Sequence, residues 1–173
     1  CKDIGARLTG SAEAEMAVVW GKDLLKSYGF ETRLQETPIP HWERGTLEAA
    51  WYRDNKGQLY KIKVLALGGS VGTDGLMTGE AIEARDLVHL AELGAAGKLK
   101  GKIVFINRPF DQKLISTFEA YGGCWPIRGN GSLESGRHGA KVVLIRSLAS
   151  PIDDHPHTGG MYYDEDVKKI PGA

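Results

Sequence analysis

Two short, uninterrupted apolar runs constrain this chain more than anything else in it. They are Ile103-Val104-Phe105-Ile106, framed by Lys102 and Asn107, and Val142-Val143-Leu144-Ile145 after Lys141. A strand that is apolar at every position, without alternation, predicts burial on both faces, the usual setting of parallel pairing. Between the runs, Asp111 opens a helical stretch with Leu114, Ile115, Phe118 and Tyr121 on one side, closed by Gly122-Gly123. Residues 132–138 predict a second short helix, stopped by Gly139. Strand, helices and strand at this spacing predict a right-handed βαβ crossover.

The front half reads differently. Residues 11–28 predict an amphipathic helix: Ser11 caps its start, Glu13 and Glu15 suit the positive helix end, and Gly29 closes it. Met16, Val19, Trp20, Leu24 and Tyr28 follow steps of three and four and make one apolar face. That face needs something to lie against, so the helix is expected to dock or to pair between two copies as a homodimer. Residues 31–37 read as an extended strand leading into the stiff Pro38-Ile39-Pro40 connector. Residues 46–53 and 58–67 flank Asp54-Asn55-Lys56-Gly57, a strong hairpin signal. Residues 79–85 suggest a further strand, and Asp86 a cap for a short helix carrying Leu87, Leu90 and Leu93. The fold class expected is mixed α/β, with a mixed sheet flanked by short helices and an N-terminal amphipathic helix.

Several classes of partner find no support. The 22 basic and 22 acidic side chains cancel, so nothing draws the chain to nucleic acid or to an anionic membrane. No apolar run nears the roughly 20 residues of a membrane span. The start at Cys1 reads as a cut or processed end. Cys1 and Cys124 lie in no Cys-x-x-Cys pair, and they read as free, unrelated thiols. The 23 glycines, about 13% against a usual ~7%, point to many tight turns.

The densest set of metal-capable side chains is Asp153-Asp154-His155-Pro156-His157. A zinc site built from neighbouring positions wants its ligands on one helix face or in tight Cys/His spacing, and a His-Pro-His step on a loop gives neither. The cluster reads first as a hydrogen-bonded turn. A loop facing a substrate, with Tyr162 beside it, is the second reading, and a metal centre the third. Gly68-Gly69-Ser70-Val71-Gly72 matches the nucleophile elbow in letters, but no helical pattern follows it, so a plain loop is expected. Gly129-Asn130-Gly131 lacks the third glycine of a dinucleotide turn. His41 and Trp42 read as anchors beneath a loop, His89 as a helix-flank residue, and His138 as a cation at a helix C-terminus. No catalytic constellation assembles from these residues.

Three stretches, in order, resemble one family. Ile4-Gly5-Ala6-Arg7-Leu8-Thr9-Gly10-Ser11 and the helix after it resemble the opening of zinc-dependent exopeptidases of the carboxypeptidase Q and aminopeptidase Y kind, although that family often has proline where Ala6 stands. Gly101-Lys102-Ile103-Val104, followed by residues 139–147, resembles the core of the protease-associated domain inserted in such enzymes. Pro156-His157-Thr158-Gly159, then Tyr162 and Ile170-Pro171, is similar to the end of that insert. The resemblance implies that residues 1–37 belong to a peptidase domain and that 38–173 form a protease-associated domain of swivelling β/β/α type. It implies a non-catalytic module that borders an active site, admits peptide substrates and works in a secreted or periplasmic hydrolase. The zinc ligands and the general base would lie on a peptidase domain outside these residues, so no catalytic or metal-binding residue is expected here. Two other functions stay open: a stand-alone peptide-binding domain, and a self-sufficient metal-dependent hydrolase using Asp153, Asp154, His155 and His157.

Overall fold

A computed structural model describes residues 2–151 and 153–173, so Cys1, and with it any pairing of its thiol, lies outside the described residues. Two compact units divide the chain, Cys1–Glu43 and Arg44–Ala173.

The first unit is built around helix α1, Ala12–Ser27. Ser11 accepts a hydrogen bond from the Ala14 amide at 3.1 Å, and Glu13 and Glu15 occupy the positive first turn, as the sequence predicts. No residue of α1 is buried, and Met16, Val19, Trp20 and Tyr28 are exposed. Residues 30–43 lie in neither helix nor strand.

The second unit opens with a hairpin, β1 Ala50–Arg53 and β2 Leu59–Ile62, paired antiparallel. Asp54 makes the turn: its Oδ1 accepts from the Lys56 and Gln58 amides at 2.9 and 2.8 Å, while Gly57 takes φ +85°. Tyr52 and Tyr60 face each other across the strands with rings stacked at 4.9 Å.

Three parallel strands form a second sheet in the order β3 Ala81–Ala84, β4 Ile103–Ile106 and β5 Val142–Ile145. The class is mixed α/β, as expected, with the hairpin and the parallel strands in separate sheets. Both apolar runs are strands, and Val104, Ile106 and Val143 are fully buried in the core with Leu90, Leu99 and Ile127. Helix α2, Leu87–Ala95, starts on an Asp86 cap whose Oδ1 accepts from the His89 amide at 2.8 Å. Residues 171–173 run beside β5: the Val143 amide donates to the Pro171 carbonyl, and the Ala173 amide donates to the Val143 carbonyl.

The segment between β4 and β5 departs from expectation. Instead of two short helices, one 21-residue helix, α3 Thr117–Arg137, runs through Gly122, Gly123, Pro126, Gly129 and Gly131. Its start is capped by Ser116, not Asp111, and Leu114, Ile115 and Phe118 are exposed. Propensity alone argues against such a helix, because each interior glycine costs up to about 1 kcal/mol relative to alanine and Pro126 removes one backbone donor. Packing overrides it. α3 lies on β4 and β5 and against α2, and a Cβ at Gly131 would sit 2.7 Å from Ile145 Cδ1 and 2.9 Å from Ile106 Cδ1. A bare backbone is what lets the helix touch the sheet there.

The glycines of α3 are therefore not equivalent. Gly122→Ala, with nothing near its added methyl, should stabilise the protein by about 0.5–1 kcal/mol through helix propensity. Gly131→Ala receives the same propensity gain but should lose about 1–3 kcal/mol to overpacking. Denaturant midpoints of the two variants should move in opposite directions; matching shifts would refute the packing argument.

Candidate functional site

The continuity of α3 sets Tyr121 and Arg128 seven residues apart, on one face of the helix. Arg128 is 5% exposed and forms no salt bridge among the described residues. One guanidinium nitrogen, Nη2, donates to the Tyr121 hydroxyl at 2.5 Å, and the other, Nη1, lies 3.2 Å from His157 Nδ1. The guanidinium carbon also lies 5.4 Å from the Tyr121 ring centroid, a cation–π contact that partly offsets the cost of burying the charge. Tyr121 and His157 meet edge to face with centroids 5.6 Å apart.

Local geometry holds His157 in this arrangement. Its amide donates to Ser147 Oγ at 2.8 Å, just past β5, and the Thr158 hydroxyl donates to the Ala66 carbonyl at 3.3 Å. The Gly68 amide donates to the Gly159 carbonyl, and the Met161 amide donates to the Gly68 carbonyl. Gly159 lies against the guanidinium itself: a Cβ there would stand 2.6 Å from Arg128 Cζ. The glycine after His157-Thr158 thus makes room for a buried arginine. Beside Tyr121 and His157 runs an open groove of about 510 Å³ whose other lining residues include Phe110, Phe118 and Leu148.

The loop residues singled out in the sequence separate. Asp153 Oδ1 accepts from the His155 amide at 2.8 Å and lies 3.5 Å from His155 Nδ1, a turn on the exposed surface. Asp154 is exposed as well. His157 turns instead toward Arg128 and Tyr121. Tyr162, 57% exposed, packs edge to face on Trp125 at 6.0 Å, and its amide donates to the Gly129 carbonyl. The Asp153–His157 side chains do not converge on a common point: Asp153 pairs with His155, and His157 turns to Arg128. Among the described residues no group of three or more His, Cys, Asp or Glu side chains stands close enough to hold a metal ion.

The remaining motifs take structural places. Ser70 Oγ donates to the Val71 carbonyl at 2.9 Å and accepts from the Gly172 amide at 2.8 Å, in a loop with no helix directly after it. Gly129 and Gly131 lie inside α3, and Cys124 is a buried thiol. His89 Nδ1 accepts from the Arg85 amide at the start of α2. His138 caps α3, and its ring lies over Gly94, where a Cβ would come within 2.3 Å of it.

Tyr121 and Arg128 are the site residues that sequence reasoning missed. Tyr121 read as an apolar helix position and Arg128 as nothing in particular. The seven-residue spacing was the signal, but it carries meaning only on one unbroken helix, and Gly122-Gly123 read as a stop.

In the first unit, His41 packs over Gly10, and its Nε2 lies 2.9 Å from Glu43 Oε1. The hydrogen bond to Glu43 raises the His41 pKa above its ordinary value against desolvation, with smaller help from a backbone contact at Thr9 and from the Glu43 charge.

No protein-family model matches the chain. It is 35% identical over 172 residues to carboxypeptidase Q of Xenopus laevis and 35% identical over 173 residues to carboxypeptidase Q of Homo sapiens, covering 98% of this chain in each case. It spans only 34% of the length of those relatives, about a third. The crystal structure of a peptidase M28 precursor from Shewanella amazonensis superposes with a TM-score of 0.76 at 32% identity, over 99% of this chain and 38% of that one. The chain is thus related to one third of a peptidase, and its α/β fold is that of the matching region.

Two measurements test the contacts described here. Gly159→Ala should cost about 1–3 kcal/mol, read as a lower denaturant midpoint, because its methyl would strike the Arg128 guanidinium; an unchanged midpoint would show that the arginine is not held there. A raised folded pKa means that the His41–Glu43 contribution is complete below the unfolded value and is lost as pH rises through the folded one. NMR titration of His41 should therefore show a lower midpoint in Glu43→Gln than in the native chain.

Proposed function

We propose that this chain is the accessory part of a zinc-dependent exopeptidase of the carboxypeptidase Q kind. In this reading, residues 1–37 contribute to the peptidase domain, and 38–173 are a protease-associated module that borders the active site and governs access of peptide substrates. The observation that carries the reading is end-to-end similarity to carboxypeptidase Q over a third of that enzyme's length. Peptide-bond cleavage would fall to the other two thirds, which would hold the metal. The setting would be secreted or periplasmic, and no helix among the described residues is long and apolar enough to cross a membrane.

The exposed face of α1 supports the same reading. Met16, Val19 and Trp20 leave an apolar surface of the kind a peptidase domain would cover, and most of the length of the relatives lies outside the matched third. A second copy of the chain is the other candidate for that face.

A chimera tests the proposal. Carboxypeptidase Q carrying this chain in place of its matched third should load zinc and hydrolyse peptides, whereas the 173-residue chain alone should neither bind zinc stoichiometrically nor cleave. A folded, zinc-loaded chimera without hydrolysis would overturn the proposal, and so would turnover by the isolated chain with its own bound zinc.

A further inference from the structure

We propose that Tyr121 and His157, backed by Arg128, form a clamp for a carboxylate at the edge of the groove beside them. The ligand is a peptide or amino acid that ends in a free carboxylate next to an apolar side chain. Three observations converge on this chemistry. First, Arg128 is a buried cation, and among the described residues it has no carboxylate partner and its Nε no hydrogen-bond partner. An unpaired buried charge is costly to keep, so the site is short of one negative group.

Second, hydrogen-bond directions leave two donors over. A guanidinium only donates, so the Tyr121 hydroxyl and His157 Nδ1 both accept from it. The neutral imidazole then carries its proton on Nε2, and the phenol keeps its own O–H hydrogen. Neither of these hydrogens is donated to any described residue. The two rings meet edge to face at 5.6 Å and line the same groove.

Third, both rings line the groove, whose walls include Phe110, Phe118 and Leu148. Two donors and a positive charge beside an apolar wall suit a carboxylate with a hydrophobic neighbour. An ammonium group would meet donors and a like charge, and a neutral amide would forgo the charge-assisted bonds.

This inference deepens the proposed function and takes its peptide from it, yet the two fail separately. Acid-selective binding without hydrolysis by the chimera leaves the clamp standing and removes the peptidase reading. Hydrolysis by the chimera without acid selectivity does the reverse.

The test titrates the chain with N-acetyl-leucine and, separately, with N-acetyl-leucinamide, following the Tyr121 and His157 ring signals by NMR. The acid should bind at least about tenfold more tightly than the amide. Tyr121→Phe and His157→Phe should each abolish most of that preference, with circular dichroism confirming the fold. If either variant fails to fold, the acid–amide comparison on the native chain decides alone. Equal affinity for the two probes, binding of neither, or a preference that survives both substitutions overturns the clamp. Binding of neither would assign the arginine's missing carboxylate to another polypeptide segment.

Discussion

The close approach of α3 to the parallel sheet at Gly131 governs the rest of the second unit. A Cβ there would crowd Ile106 Cδ1 and Ile145 Cδ1, so the helix sits at a separation that favours glycine. Held against β4 and β5, it stays helical through Gly122, Gly123 and Pro126, which propensity disfavours. Everything distinctive about the site follows from that continuity, because Tyr121 and Arg128 share a face only if the helix is unbroken between them.

The buried arginine then shapes the chain around it. Gly159 lacks a side chain because the guanidinium occupies the space, and Gly159 in turn is joined to Gly68 by backbone hydrogen bonding. His157 is held from both ends, by Ser147 at its amide and by Arg128 at its ring. A loop that looks in sequence like a cluster of metal ligands is thus divided by geometry. Asp153 and His155 form a surface turn, and His157 belongs to a different, more buried network. Breaking one member of such a network leaves its partners unsatisfied, so the arrangement tends to be rigid.

The first unit obeys another logic. Its helix forms on local terms, through the Ser11 cap, acidic residues in the first turn and Lys26 in the last. Its apolar face stays exposed, so helix formation and burial are separate events here. An amphipathic pattern states that a face wants a partner; it does not state which one.

Local chemistry alone dictated much of this architecture. The two apolar runs became strands, Asp54 and Gly57 built the hairpin turn, and Ser11 and Asp86 capped their helices, because each depends on residues within or beside its own element. The length of α3 and the Tyr121–Arg128–His157 network were decided only by tertiary structure. Gly122-Gly123 ends a helix in isolation, where backbone entropy rules, but it stays helical within α3, which is packed further along on β4 and β5. A charged residue such as Arg128 reads as surface until long-range packing encloses it and brings His157, 29 residues away, to its side.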